Sequence, residues 1–276
     1  MKEVEQYYDS NPQIEWDRLE RHKLEFDMMK RYFNEYLPSA STILDAGGGP
    51  GRIAIHLTQK GHKVTLLDLS GENLKFAKEK AQEYQVVINE YIHSNILDLN
   101  KHVTEKYDSV LCLGPLYHLI HEKDRKKAIE NCLAALKPGG VFFAAFISSF
   151  APIQDFIVNY PENIVGFKDK LFRYLDEGIN IVSEENKGFT TAFFMNPMDI
   201  EPFMASFPLE KIMISGLEGL FSQSENIINK LPKTVYTDWL DICHKTSTNP
   251  VTWGGSQHLL YVGRKKKNNL NLNSKF

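Results

Sequence analysis

The chain has 276 residues, 42% of them hydrophobic and 24% charged, a composition that excludes a disordered chain and fits one large domain or one domain with an insertion. A formal net charge of −3 argues against a nucleic-acid partner. No apolar run approaches the ~18–20 residues of a membrane span, the first six residues carry charges where a signal peptide needs an apolar core, and three scattered cysteines, Cys112, Cys132 and Cys243, match no metal-ligand spacing; a cytoplasmic, soluble protein with free thiols and no metal is expected.

Residues 3–37 read as helix, broken near Asn11-Pro12. Over 14–37, Leu19, Leu24, Phe26, Met28, Met29, Tyr32 and Phe33 recur at helical spacing, and the charges fill a solvated face. Tyr7, Tyr8, Trp16, Arg18 and His22 are the side chains there that can reach a site. Thr42 to Ala46 is a short apolar strand with an acid, Asp45, near its end. It runs into Gly47-Gly48-Gly49-Pro50-Gly51 and then a helix with Ile53 and Leu57 inward, closed by Gly61. Lys63 to Asp68 is a second strand, again ending on an acid. Ser70 caps a helix over 72–84. A third strand ends near His93. A fourth, Tyr107 to Leu113, stops at Gly114-Pro115. A helix over 124–136, a turn at Lys137-Pro138-Gly139-Gly140 and a wholly apolar strand over 141–147 follow.

This alternation predicts a parallel, doubly wound sheet. It stops near Ser148. Beyond it, 150–195 reads as an inserted, aromatic-rich cap of helices and loops, with a strand over 189–194 paired to 179–182. A short helix over 197–207, a strand over 210–215, helix over 224–244 interrupted by Pro232, and a last strand over 258–264 complete the pattern. The tail, 265–276, is polar and expected to be flexible.

The chemistry concentrates at the glycine-rich turn. Glycines at 47, 49 and 51 let the backbone approach a ligand. A dinucleotide fingerprint would need glycine at position 52, where Arg52 stands. Asp45 also repels a pyrophosphate and suits a ligand with a cationic group. Asp45, the alternate glycines and a second strand ending in Asp68 together say more than a glycine-rich loop alone.

On these residues the sequence resembles the class I S-adenosylmethionine-dependent methyltransferases, well over 40–147 and moderately in the final strands. Leu44-Asp45-Ala46-Gly47-Gly48-Gly49-Pro50-Gly51 resembles the family's first motif, an acid followed by alternating glycines. The resemblance implies a Rossmann-like α/β fold: a seven-stranded, mostly parallel sheet with an antiparallel last strand. It implies N-terminal lid helices over 1–37, a cofactor-binding core over 38–149, an acceptor cap over 150–195 and the rest of the core over 196–264. It implies S-adenosyl-L-methionine as cofactor. Asp45 and the backbone at Gly47, Gly49 and Gly51 would hold the methionine end. Asp68 would take the two ribose hydroxyls, and Leu69 would lie against the adenine. Asn95 and Ile96 stand where the family commonly has an aspartate and an apolar residue at the adenine edge. Leu113 opens onto the methyl group, and Tyr8 belongs to the lid side of the cofactor.

His118, just after the fourth strand, is the candidate general base; Tyr117 beside it is wall or catalyst. Arg18 and His22 are candidates for an anionic group, Glu218 for the acceptor, and His121 is expected in solvent. The reading is an enzyme that transfers a methyl group to O, N or S of a small molecule, with neither nucleic acid nor membrane as partner. Its rivals are an RNA or protein methyltransferase and a non-catalytic cofactor-binding regulator.

Overall fold

The computed structural model describes residues 1–182 and 190–267. Three helices open the chain: α1 (Lys2–Ser10), α2 (Pro12–Arg21) and α3 (Lys23–Tyr36). Pro12 starts α2, where its missing N–H would have no helical partner anyway. The single helix expected over 14–37 is two, broken at His22 (φ −97°, ψ 58°). The break is held from a distant part of the chain. Glu225 accepts hydrogen bonds from the Leu24 N–H (3.0 Å) and from His22 Nδ1 (3.1 Å). It thereby satisfies a first-turn donor of α3 that no local side chain caps.

The alternating unit follows as β1 (Thr42–Ala46), α4 (Arg52–Gln59), β2 (Lys63–Asp68), α5 (Gly71–Glu83), β3 (Glu90–His93), α6 (Leu99–His102), β4 (Tyr107–Cys112), α7 (Glu122–Ala135) and β5 (Leu136–Ser148). The strands pair in parallel in the order β3-β2-β1-β4-β5. The expected turn at 137–140 lies inside β5 instead. The register against β4 jumps from Tyr107↔Leu136 to Ser109↔Val141, so these residues form a bulge, with Gly139 at φ +80°.

The chain continues as α8 (Ala151–Asn159), α9 (Ile164–Asp176), β6 (Ile179–Asn180), β7 (Ala192–Met195), α10 (Ile200–Met204), β8 (Leu209–Gly216), α11 (Glu225–Ile228), α12 (Lys233–Ser247), α13 (Pro250–Trp253) and β9 (His258–Lys265). β9 runs antiparallel to β5, and β8 antiparallel to β9. The main sheet is therefore β3-β2-β1-β4-β5-β9-β8, with only β9 reversed, as expected. Two short strands add to it. β7 pairs in parallel with Ile147 and Ser148, past the last β4 partner at Cys112↔Ala144, and β6 pairs antiparallel with β7. The strand expected over 189–194 thus begins at Ala192; Phe189 lies outside the described residues. So does most of the expected tail, while Lys265 closes β9.

Alternation along β5 shows how the sheet is covered. Phe143 packs with Phe33 of α3 on one face, in a layer with α4, α5 and α12; Phe142 packs on the other with α7, α10 and α13. Both phenylalanines are fully buried, and truncating either to alanine removes about 3–5 kcal/mol. With both faces covered, the C-terminal ends of the parallel strands are where ligands of such folds sit.

Candidate active site

A cleft, partly open to solvent, lies outside those strand ends. The glycine-rich turn forms its floor, and α1 and α2 close over it. Tyr8, Asp45, Gly47, Gly49, Asp68, Leu69, Asn95, Ile96, Leu113 and His118 all line it, so the structure gathers nearly every residue expected at the site. Gly51 stands apart from the lining. It caps α4 at φ +81°, and a Cβ there would sit 2.9 Å from Ala77 Cβ. Its task is to turn the chain and seat α4 on α5.

The turn is pulled onto β2. The N–H groups of Gly47 and Gly48 both donate to the Leu67 carbonyl, at 2.6 and 3.2 Å. A Cβ on Gly47 would fall 2.2 Å from Pro115 Cγ, and one on Gly48 would fall 2.4 Å from Asp45 Oδ2. Asp45 is fully buried, and neither of its carboxylate oxygens has a hydrogen-bond partner among the described residues. Burial, and then the negative charge of Asp68, push its pKa up to about 7. A buried carboxylate without a donor is costly unless a ligand supplies one. The amino and sulfonium groups of S-adenosylmethionine are cationic, so this chemistry fits that cofactor.

Asp68 is differently placed. Its Oδ2 accepts from the Gly49 N–H (2.8 Å), and its Oδ1 from the Ser70 N–H (2.9 Å) and Asn73 Nδ2 (3.3 Å). Burial raises its pKa despite these three donors. Three of roughly four acceptor positions on the carboxylate are used. One ribose hydroxyl can be received directly, and a second needs the long Asn73 contact to yield. Asn95 is also partly engaged: its Oδ1 caps the turn at Ile96–Asp98 by accepting from the Leu97 N–H (2.9 Å). The side-chain amide keeps one lone pair and both of its N–H donors for an adenine edge.

His118 departs from its expected part. Its Nε2 is 2.7 Å from the Tyr8 hydroxyl and its Nδ1 is 3.1 Å from the Thr191 carbonyl. A carbonyl only accepts, so Nδ1 carries the proton and Nε2 receives the Tyr8 O–H. Burial holds the pKa down at about 4, so the ring is neutral. With both nitrogens engaged, His118 pins α1 over the cleft. Two more contacts fasten the lid. Asp9 accepts from Ser70 Oγ (2.6 Å), and Arg52 donates to the Trp16 carbonyl (2.8 Å) and to Glu20 (3.0 Å). The residue that breaks the dinucleotide spacing is thus a clasp between α4 and α2.

The far wall of the cleft holds Arg18, Glu25 and His258. Arg18 grips Glu25 through both terminal guanidinium nitrogens (2.8 and 3.0 Å). Glu25 is 3.6 Å from His258 Nδ1, and the same Nδ1 is 2.5 Å from Glu218 Oε1. Glu218, a candidate for facing the acceptor, lies behind the wall, 1% exposed. It accepts there from Ser256 Oγ and from the N–H groups of Gln257 and His258. Burial lowers the His258 pKa, but Glu25 and Glu218 outweigh it and hold it above the ordinary value. The carboxylates of Glu25 and Glu218 are both held low, against burial, chiefly by Arg18 and by His258 respectively. Glu25 and His258 line the cleft, although the first looked like one of many helix charges and the second like the start of the last strand. Their spacing along the chain carries no local signal. His22 belongs to the α3 cap rather than to the lining, and His121 is exposed as expected. No described residue of 150–195 lines the cleft, so the wall expected from the cap comes from α2, α3 and β9.

Residues 43–140 match the family described as a methyltransferase domain. The tRNA 5-carboxymethoxyuridine methyltransferase of Escherichia coli strain K12 is 32% identical over 124 residues, covering 44% of this chain and 46% of that protein. The ubiquinone biosynthesis O-methyltransferase of Vibrio atlanticus is 31% identical over 176 residues, 63% of this chain and 65% of that protein. The chain therefore spans about half to two thirds of the length of these relatives. Among solved structures, the N-methyltransferase NodS of Bradyrhizobium japonicum, crystallised with S-adenosyl-L-homocysteine, superposes with a TM-score of 0.58 at 14% identity, covering 95% of this chain and 98% of that one. That likeness is one of fold. Residues 43–140 of this chain form a methyltransferase domain.

Proposed function

We propose that the protein transfers a methyl group from S-adenosylmethionine to an O, N or S atom of a small molecule. The observation that carries this reading is Asp45, a fully buried carboxylate without a donor among the described residues, set in a turn too tight for side chains and facing a cleft. The cofactor supplies a methyl group already activated on a sulfonium. The protein's part is to hold, orient and keep dry. Asp45 takes the cationic end, Asp68 a ribose hydroxyl, and Asn95 with Ile96 the adenine edge. Tyr8 and the other lid contacts exclude water while the acceptor's nucleophile is aligned. Closure of the cleft by α1 and α2 favours a small acceptor.

Calorimetric titration with S-adenosylhomocysteine, followed by incubation of the protein with methyl-labelled S-adenosylmethionine and a metabolite extract, tests this. Saturable binding and a labelled small product are expected. No heat, or heat unchanged by Asp68→Ala, contradicts it. One relative is named for a tRNA substrate, which makes RNA the second reading. The run Arg264-Lys265-Lys266-Lys267 lies at or beyond the end of β9 opposite His258, roughly 20 Å or more from the cleft along the strand, where it would not present RNA to the site. Filter binding of total tRNA separates the two readings.

A further inference from the structure

We propose that His258, oriented by Glu218, is the catalytic base that takes the proton of a weakly acidic hydroxyl on the acceptor, so that the reaction is O-methylation of a phenol-like molecule seated over Ala145. This rests on the methyltransferase reading above and adds the proton acceptor and the substrate class.

The sheet sets the distances. Cys112 of β4 pairs with Ala144 of β5, and Ala145 of β5 pairs with Leu260 of β9. Leu113, beside the expected methyl position, and His258, which pairs with Ile147 two residues beyond Ala145, therefore stand on either side of β5, roughly 12 Å apart from the strand and residue spacings. Between them, the residue on the lid-facing side of β5 is Ala145, which lines the cleft where a larger side chain would fill the gap. Leu19 and Met29 wall the space from the lid side. An apolar, flat body fits there, with one polar end directed at β9.

His258 is equipped for that end. Its Nδ1 is committed to Glu218 at 2.5 Å. Glu218 is itself fixed by a hydroxyl and two backbone N–H groups, so ring and carboxylate cannot drift. The Nε2 has no hydrogen-bond partner among the described residues, and the ring lines the cleft. A base with one nitrogen oriented by a buried carboxylate and the other open to the reacting group is an arrangement that recurs wherever a hydroxyl must be activated. His118, with both nitrogens engaged, lacks it. The charged and titratable groups facing His258 are Glu218, Glu25 of α3, Arg18 of α2 beyond Glu25, and the His22 ring, 6.3 Å away between centroids. Two carboxylates make the imidazole a stronger base. Arg18 already neutralises Glu25, and His258 Nδ1 already meets Glu218; these contacts occupy the ligand atoms of Glu25, Glu218 and His258, which lie within 4.8 Å of one another.

The step balances without another reagent. The hydroxyl oxygen's electron pair forms the bond to the methyl carbon, the carbon–sulfur bond breaks with its pair left on sulfur, and the hydroxyl proton passes to Nε2. Glu218 acts through the ring and is a positioning residue.

The test uses the full chain, with His258→Gln and Glu218→Gln. S-adenosylhomocysteine should bind all three proteins within about threefold; its failure to bind the native protein would sink the methyltransferase reading itself. With S-adenosylhomocysteine present, 4-nitrophenol and 4-nitrocatechol serve as probes, because their ionisation is visible in absorbance. The native protein should bind one of them and shift its ionisation to lower pH, and His258→Gln should abolish that shift. Methyl transfer to the bound probe should fall about 10²-fold or more in His258→Gln. The native rate should decline below a pH set above the ordinary histidine value. In Glu218→Gln that decline should move to lower pH, which a purely structural role would not cause. The proposal is overturned by S-adenosylhomocysteine binding without binding of either phenol, by an ionisation shift or pH profile that survives in His258→Gln, or by activity that chelation removes and a divalent ion restores.

Discussion

Asp45 is the residue on which the proposed cofactor site turns, and its energetics give two predictions. Ionising it in the protein alone, against a pKa of about 7, costs on the order of 4 kcal/mol relative to the unfolded chain. A positive charge brought within about 5 Å recovers about 3 kcal/mol at an effective dielectric of 20, so the two terms are comparable and a cationic ligand decides the protonation state. S-adenosylmethionine should therefore bind more tightly as pH rises from about 6 to about 8, and Asp45→Asn should weaken binding about tenfold or more and flatten that slope in calorimetry. At the next residue but one, Gly47→Ala places a methyl 2.2 Å from Pro115 Cγ at φ +81°. Loss of cofactor binding and a lowered Tm are expected; an unchanged titration would mean that the turn yields more easily than its contacts imply. Residues that the chain itself holds in order were legible. Asp45, Gly47, Gly49 and Asp68 lie within 24 positions and all line the cleft. The partners of Glu218 and His258 were not, because Arg18 and Glu25 come from more than 190 positions away and no spacing rule connects them. His118 was legible as a site residue but not in its role, which depends on Tyr8 and Thr191 occupying its two nitrogens.

At the scale of elements, the lid is a set of short helices tied down by side chains. Tyr8–His118 pins α1 from one side and Asp9–Ser70 from the other, while Arg52 grips α2. Arg52→Ala removes two hydrogen bonds and cation–π contacts with Trp16 at 4.9 Å and Phe26 at 5.6 Å. It should speed hydrogen exchange in α1 and α2, leave β1 and β4 protected, and weaken S-adenosylhomocysteine binding about five- to tenfold; uniform protection across both helices would contradict the clasp. The strands and long helices were readable because their apolar periods are strong. The break at His22 was not, because Glu225 supplies its cap across 201 positions. The bulge at 137–140 was misread as a turn for a related reason. Lys-Pro-Gly-Gly has turn chemistry, and only the pairing of Leu136 with Tyr107 keeps the segment within the sheet.

For the whole molecule, the sheet order follows from the alternation of strands and helices and from the reversed β9. What sequence could not place was the wall of the cleft. Aromatic residues at 150–195 suggested an acceptor cap; among the described residues, the wall is built by α2 and α3 with β9. Asp45 also gives stability a pH dependence. Its folded pKa is raised, so its contribution is fully present below about pH 4 and is lost as pH rises through about 7. Chemical denaturation of the protein alone should show a decline across that window which Asp45→Asn removes; parallel curves for the two proteins would contradict the assignment.

The most direct test of the account is calorimetric titration of S-adenosylmethionine near pH 7 in two buffers of different ionisation heat, with the native protein, Asp45→Asn and Asp68→Ala. The account predicts one site per chain, release of a fraction of a proton on binding to the native protein, no such release in Asp45→Asn, and affinity lost by about tenfold or more in both variants. Absent heat, or affinity and proton release unchanged by either substitution, would contradict it.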